Sequence, residues 1–517
     1  MKTKSLLLLL FLLSSNLLAG KELTFQAPEL SDPYYKILFP FESHDDSTII
    51  EQVMLNGHRI DDLVVLQQGT KQNITAPLKK GSYTFWLDYA WKNGRKYEVR
   101  LLYKIGQSGK SKTLKFDGSS PKEGGIKKGK EGFYRAYIIE ETVGLERKSE
   151  IVMLTFTVLR DQIEPEKLLI LDGDSSLEYQ IIDQQELIPP EKVIQVNPIT
   201  KAINIAFCVT VGPYEKKLLL LLQDEKELLP VDRFGIEGEG LGKTIKNSNI
   251  ALELHPQSGQ INTIENLKMG IRLWNEIGVI HWNPGCYIPG IAWDHSFDWN
   301  PPQHFSEKSG GLIYINSRKG PLPHIQDVYL EVKYILEKDS PYFVVETRMR
   351  LQKDLGAIAL RNDEMVLYNK LFDTLIYKTK GGNIIQMPLK EKTGTPFGLA
   401  HIAPDDLDWV GLINTEKKYG FFGLRINYAN MNLDVNGSYL NQPGTYFYAP
   451  SDGKYSYWVR PLYYTWGKHT TNNYFTFIPE GSSFYEKNAY ILLSLTPKYE
   501  DILNSLLKKL RNPLWIN

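Results

Sequence analysis

Short runs of alternating apolar and polar residues recur along almost the whole chain. Examples are SYTFWLDYAW (82–91), YEVRLLYKI (97–105), EIVMLTFTVL (150–159), INIAFCVTV (203–211), VYLEVKYIL (328–336), YFVVETRMRL (342–351) and YSYWVRPLYYTW (455–466). They are rich in Val, Ile, Tyr, Phe and Thr, and Gly, Pro, Asn or Asp separate them, a rhythm that predicts half-buried strands of sandwiches rather than helices. One segment breaks the rhythm. In YEDILNSLLKKLRNPLWIN, residues Ile502, Leu503, Leu506, Leu507 and Leu510 recur at helical spacing and Pro513 closes the element, which predicts a C-terminal helix docked on a sheet. The predicted class is all-β: two small β-sandwich modules, then a large antiparallel β-supersandwich with that helix.

The divisions follow the punctuation. Residues 1–20 read as a secretory signal peptide: Met1-Lys-Thr-Lys is positive, Leu6 to Leu13 is apolar, and Ala19 offers a small cleavage residue. Lys21, where a lipoprotein would carry cysteine, speaks against a lipid anchor. No later stretch reaches membrane-spanning length, so the expectation is an exported protein, secreted or periplasmic. Residues 21–116 form the first module and 117–132, DGSSPKEGGIKKGKEG, a polar linker or long loop. Residues 133–245 form the second module and 246–517 the supersandwich with its helix.

Composition adds two constraints. Sixty basic residues balance sixty acidic ones, so nucleic acid is not the expected partner, because phosphate binding needs a net basic face. Aromatics reach 12% of 517 residues, as in proteins that present sugar-binding clefts, although sheets favour aromatics for packing as well. Only Cys208 and Cys286 are present, which allows at most one disulfide and excludes a cysteine-rich metal site.

Two stretches resemble known families. EETVGLERKSEIVMLTFTV (140–158), followed by LLILDGDSSLEYQ (168–180), resembles the opening β module of exo-acting rhamnogalacturonan lyases, with Asp172-Gly173 and Gln180 at the corresponding places. NSNIALELHPQSGQINTI (247–264) resembles the start of a galactose-mutarotase-like supersandwich, a fold of sugar epimerases, polysaccharide lyases and glycosidases. The resemblance implies a fold and a carbohydrate substrate class. It transfers no catalytic residue, and the helical toroid of those lyases has no counterpart here.

The candidate chemistry lies in WNPGCYIPGIAWDHSFDWNPPQHF (282–305), which gathers three tryptophans, two histidines, two acids and four prolines without periodicity, inside a region of regular strands. Long irregular segments in compact domains carry function more often than packing. In a lyase reading, β-elimination from a uronate needs proton-transfer groups and a grip on the carboxylate. His295, His304 and His324 are the imidazoles, Tyr329 a further proton donor, and Arg361 with Asn362 the carboxylate clamp. Trp282, Trp293, Trp299 and Tyr287 would stack on sugar rings, with Asp294 and Trp409 completing the binding wall. In a hydrolase reading, two carboxyls flank the bond, drawn from Asp363, Glu364, Asp294 and Asp298. D-H-x-x-D (294–298) with His281 or His304 also suits a divalent ion, but it matches no established ligand spacing and no metal is assigned. The preferred reading is a polysaccharide lyase acting on a uronate-containing polymer. A glycoside hydrolase and a non-catalytic carbohydrate-binding protein are the alternatives.

Overall fold

The computed structural model describes residues 134–159, 163–187, 200–223, 232–389, 399–403, 407–431, 444–450, 454–464 and 475–516, with shorter stretches between 24 and 118. The signal-peptide reading of residues 1–20 and most of the linker lie outside the described residues. Strands dominate, they pair antiparallel, and the one α-helix of the described residues is Tyr499–Arg511.

Near the N-terminus, Thr48–Leu55, Arg95–Ile105 and Ser108–Gly118 belong to a four-stranded sheet, and Ile37–Ser43 and Gly81–Leu87 to a five-stranded one. Further on, a three-stranded sheet (Arg147–Leu159, Thr200–Val211, Tyr179–Leu187) faces a five-stranded one that contains Lys216–Gln223 and Tyr134–Glu140. Phe156, Ile203, Ile205, Phe207 and Leu219 fill the space between them. The end of the chain returns here, with Ile516 pairing with Ile139.

The largest unit stacks a nine-stranded sheet on a six-stranded one. In Val328–Glu337 every second residue is buried, which is the period of a strand with one face in a core. Val328, Leu330, Val332, Tyr334 and Leu336 pack with Leu360, Met365, Leu367 and Trp458 of the six-stranded sheet. The reverse face of the nine-stranded sheet receives the helix. Leu503 and Leu507 sit against Trp409, Phe422 and Leu424, each leucine contributing roughly 1.5–3 kcal/mol of burial. Ile502, part of the predicted apolar stripe, is instead 48% exposed, because a docked helix hides only the narrow face that touches the sheet.

The motifs that carry the family resemblance are joints. Glu141 accepts hydrogen bonds from the backbone of Val143, Gly144 and Tyr214 and pairs with buried Arg147, which also donates to the Lys509 and Asn512 carbonyls at the helix C-terminus. Gly144 has φ +77°, and a side chain there would strike the Tyr214 ring at 2.7 Å. Gln180 accepts from the Leu312 and Ile313 amides and donates to the Ile313 carbonyl, clamping one sheet system to the next. Asn247 accepts from the amides of Asn249 and Ile250 and donates to the Glu337 and Ser340 carbonyls.

Candidate functional site

The geometry turns on the strand Ala359–Leu367 of the six-stranded sheet, whose side chains are all buried. Asn362 pairs with Arg460 and Met365 with Trp458, so Asp363 and Glu364 together oppose one residue, a β-bulge with Asp363 at φ 45°. The bulge turns Asn362 and Asp363 to the same side, towards the nine-stranded sheet. There Asn362 donates to Thr347 Oγ1 at 2.7 Å, and Asp363 meets Arg425 and Tyr490. Arg361 and Glu364 face the other way.

On that outward side a cluster forms. Gly285 pairs with both His295 and Arg361, and Tyr287 pairs with Trp293, so Trp293, His295, Tyr287 and Arg361 share one face. The Arg361 guanidinium lies 4.4 Å over the Trp293 ring and 3.4 Å from Glu364 Oε1. Glu364 Oε2 accepts no hydrogen bond, although the residue is only 2% exposed. Trp293 packs against Tyr287 with centroids 4.7 Å apart and the rings tilted by 48°, and Trp282 stacks on Phe297 at 5.3 Å while presenting an edge to His295. Trp282, Trp293, Tyr287 and Phe297 are half-buried and form the rim. Only glycine fits at 285: a side chain would meet Asn283 at 2.6 Å and the His295 ring at 2.7 Å.

The histidines separate by their partners. His295 has both ring nitrogens engaged, Nε2 accepting from Trp293 Nε1 and Nδ1 facing Asp298 at 3.4 Å, so it braces the wall and has no nitrogen free for substrate. His324 is its opposite. Its side chain is 71% exposed, its Nδ1 is 2.8 Å from Asp294 Oδ1, and Nε2 faces outward. Asp294 is buried and also accepts from the His324 and Ile325 amides. This carboxylate holds the His324 pKa above the ordinary imidazole value, first by its hydrogen bond and then by its charge, with Asp298 adding to the pull. Asp298 in turn accepts from the His295 amide, which ties the dyad to the aromatic cluster. His281 is fully buried, with Nδ1 2.8 Å from Tyr334 Oη in a network with Gln260 and Arg318. Burial, then the Arg318 charge, lowers its pKa to about 3 and keeps it neutral.

Several expected members fall elsewhere. Trp409 is 0% exposed beneath the helix, its Nε1 donating to Asn504, and it offers no ring face to a ligand. Trp299 is buried in the main core and donates to the Pro321 carbonyl. Asn362 faces the interior. Tyr329 sits on the face of Val328–Glu337 turned away from the core, across the sandwich from the cluster. His304 is exposed on the edge strand His304–Lys308, opposite Lys319. Asp294 and His295 point to opposite sides of Ala292–His295, so D-H-x-x-D cannot converge on one ion. Among the described residues no three His, Cys, Asp or Glu side chains come together as a metal-ligand set. Cys208 and Cys286 are free thiols.

A tyrosine patch joins YSYWVRPLYYTW, whose alternation reads mostly as a strand, to the neighbouring strand Thr445–Ala449. Tyr446 and Tyr448 lie beside Tyr455 and Tyr457 with centroids 5.4–6.4 Å apart, half-buried. Tyr457 pairs with Val366, two residues beyond Glu364, so the patch shares the outward face of the sheet. Its signal was present: tyrosines spaced by two on paired strands share a face.

No family model matches the sequence, and no curated protein does. Among solved structures, an α-mannosidase from Enterococcus faecalis V583 is similar with a TM-score of 0.46 and 11% identity over 74% of this chain. The chain spans 46% of that protein's length. A galactose mutarotase-like protein from Lactobacillus casei ATCC 334 is similar with a TM-score of 0.32 and 12% identity, over 50% of this chain and 100% of that one. Among the described residues no helix is long and apolar enough to cross a membrane.

Proposed function

We propose that the protein acts on a saccharide bound at the Trp282–Trp293 rim, with His324 as the proton-transfer group. The observation that carries this reading is the His324–Asp294 dyad: an exposed imidazole with one nitrogen oriented by a buried carboxylate and the other open. A base oriented in this way accepts and returns a proton near neutral pH. The indole faces of the rim suit the C–H faces of a sugar ring. The reaction we assign is β-elimination from a uronate-containing polysaccharide. His324 removes the proton α to the carboxylate and returns it to the leaving oxygen as the bond to it breaks, and Arg361, on the rim face, is the cationic partner we assign to the carboxylate.

One observation favours a second reading. Arg361 already faces Glu364, which offsets the charge a uronate would seek, and Glu364 together with Asp298 supplies two carboxyls for hydrolysis. Incubating the wild-type protein and His324→Ala with pectic, ulvan-type and glycosaminoglycan polymers separates the two. New unsaturated uronate absorbance that disappears in His324→Ala is the expected result. Reducing ends without that absorbance would assign hydrolysis, and saccharide retention without any product would make the protein a binder.

A further inference from the structure

We propose that a cup around Trp274 is a second saccharide-binding site, separate from the Trp282–Trp293 cluster and selective for a neutral pyranose. The cup has a volume of about 360 Å³ and is lined by Asn262, Thr263, Arg272, Trp274 and Asn275. Trp274 is 37% exposed. It is also held still. Its ring stacks on Tyr368 with centroids 4.5 Å apart at 26°, and its carbonyl accepts the Tyr368 amide at 2.7 Å. Asn275 fixes the wall, donating to the Val279 and Val366 carbonyls and accepting from the Ile277 amide. A rigid indole loses little conformational entropy when a ligand stacks on it.

The polar floor indicates the class of ligand. Glu253 accepts from Asn262 Nδ2 at 3.3 Å, Thr263 Oγ1 at 2.9 Å and Arg272 Nη2 at 2.6 Å. These three donors lie on the neighbouring strands Ile261–Asn266 and Ile271–Leu273, and Glu253 is on Ile250–Leu254. The guanidinium and carboxylate compensate each other, so the floor carries no net charge to select an anion. The amide oxygen of Asn262 and the remaining N–H groups of Arg272 provide acceptors and donors beside an apolar platform. That pairing matches a pyranose, with one C–H face and a rim of hydroxyls.

The site is connected to the cluster through one strand. Trp282 donates its amide to the Glu364 carbonyl and Tyr368 donates to the Trp274 carbonyl, four residues apart along the chain, or about 13 Å at strand rise. The binding proposal itself does not depend on catalysis at His324. Its test is calorimetric titration of the full chain with mannohexaose, galactohexaose, cellohexaose and hexagalacturonate at millimolar concentration. Wild type, Trp274→Ala, Trp274→Phe and Trp293→Ala are compared after far-UV circular dichroism verifies folding. At least one neutral hexasaccharide is expected to bind, with affinity falling about tenfold in Trp274→Ala, a loss of about 1.4 kcal/mol, and largely retained in Trp274→Phe. Trp293→Ala should leave the Trp274-dependent binding in place even if it abolishes turnover. The proposal is overturned if no neutral sugar binds, if Trp274→Ala binds like wild type, or if hexagalacturonate alone shows the Trp274 dependence.

Discussion

The two faces of the strand Ala359–Leu367 carry clusters of similar chemistry and opposite character. Facing the nine-stranded sheet, Asp363 and Glu486 meet Arg425 and Arg460: Glu486 Oε1 is 3.3 Å from Arg425 and 3.2 Å from Arg460, and Asn488 and Tyr490 donate into the group. Two acids balance two cations there, and all four residues are buried. Facing outward, Arg361 and Glu364 form a looser pair capped by a half-exposed aromatic rim. A buried, charge-balanced network fixes the register of two sheets even though Arg460 Nη1 and Nη2 and Glu486 Oε2 make no hydrogen bond, whereas a charged pair behind half-buried indoles can exchange its partners for a ligand. Similar residue types therefore do not imply similar roles; the path to solvent distinguishes them.

The largest effect should come from unbalancing the closed network. Arg425→Met leaves Asp363 facing Tyr490 without its cation and should destabilise the fold by about 3–5 kcal/mol, read as a lower midpoint in urea. The double variant Arg425→Met, Asp363→Asn removes both charges while keeping a residue that tolerates the positive φ at 363, and should recover much of the loss. If the single variant unfolds like wild type, the inward cluster is not what holds the sheets in register.

How far this division was legible in the sequence depends on the kind of signal. The all-β class and the terminal helix follow from periods of two and 3.6, which are local, and both are present. RNDE (361–364) was read as a carboxylate clamp, Arg361 with Asn362, followed by two candidate carboxyls, but no pattern announces that a bulge at Asp363 sends Asn362 inward with it while Arg361 and Glu364 face out. Trp409 and Trp299 were taken for ring platforms because composition counts indoles without knowing which side a strand turns to the core. Conversely, Glu141, Gly144, Arg147 and Gln180 read as a family signature, and their contacts explain it as joinery between sheets rather than catalysis. Trp274 escaped notice because a single tryptophan just past a short strand carries no pattern; its exposure is a tertiary property.

An intermediate effect tests the outward face. Arg361→Lys keeps a cation opposite Glu364 but removes the planar group stacked on Trp293. Stability should fall by about 1 kcal/mol, the scale of a cation–π contact. Under the proposed function, affinity for a uronate polymer should fall at least about tenfold, since an ammonium cannot reproduce the guanidinium fork. The contrast with Arg425→Met is the informative part: function should be lost before stability outside, and stability before function inside. Arg361→Lys with unchanged affinity and lowered stability would reduce the outward pair to a packing element.

The smallest effect concerns one proton and tests His324 as the proposed proton-transfer group. His324 is exposed, and Asp294 raises its pKa in the folded state above the unfolded value. The protonated form is thus favoured by folding. The resulting stabilisation is fully present below the unfolded imidazole pKa and fades as pH rises through the higher folded value. Asp294→Asn removes the charge and should move the His324 titration midpoint, followed by the histidine ring resonances in NMR, back towards the ordinary imidazole value. If His324 carries the proton in catalysis, the limb of the pH–rate profile governed by its deprotonation should move down by the same interval, while His281, neutral and enclosed, contributes no limb at neutral pH. A profile that stays in place while the NMR midpoint shifts would separate the dyad from the reaction and return the proton-transfer role to the carboxyls Glu364 and Asp298.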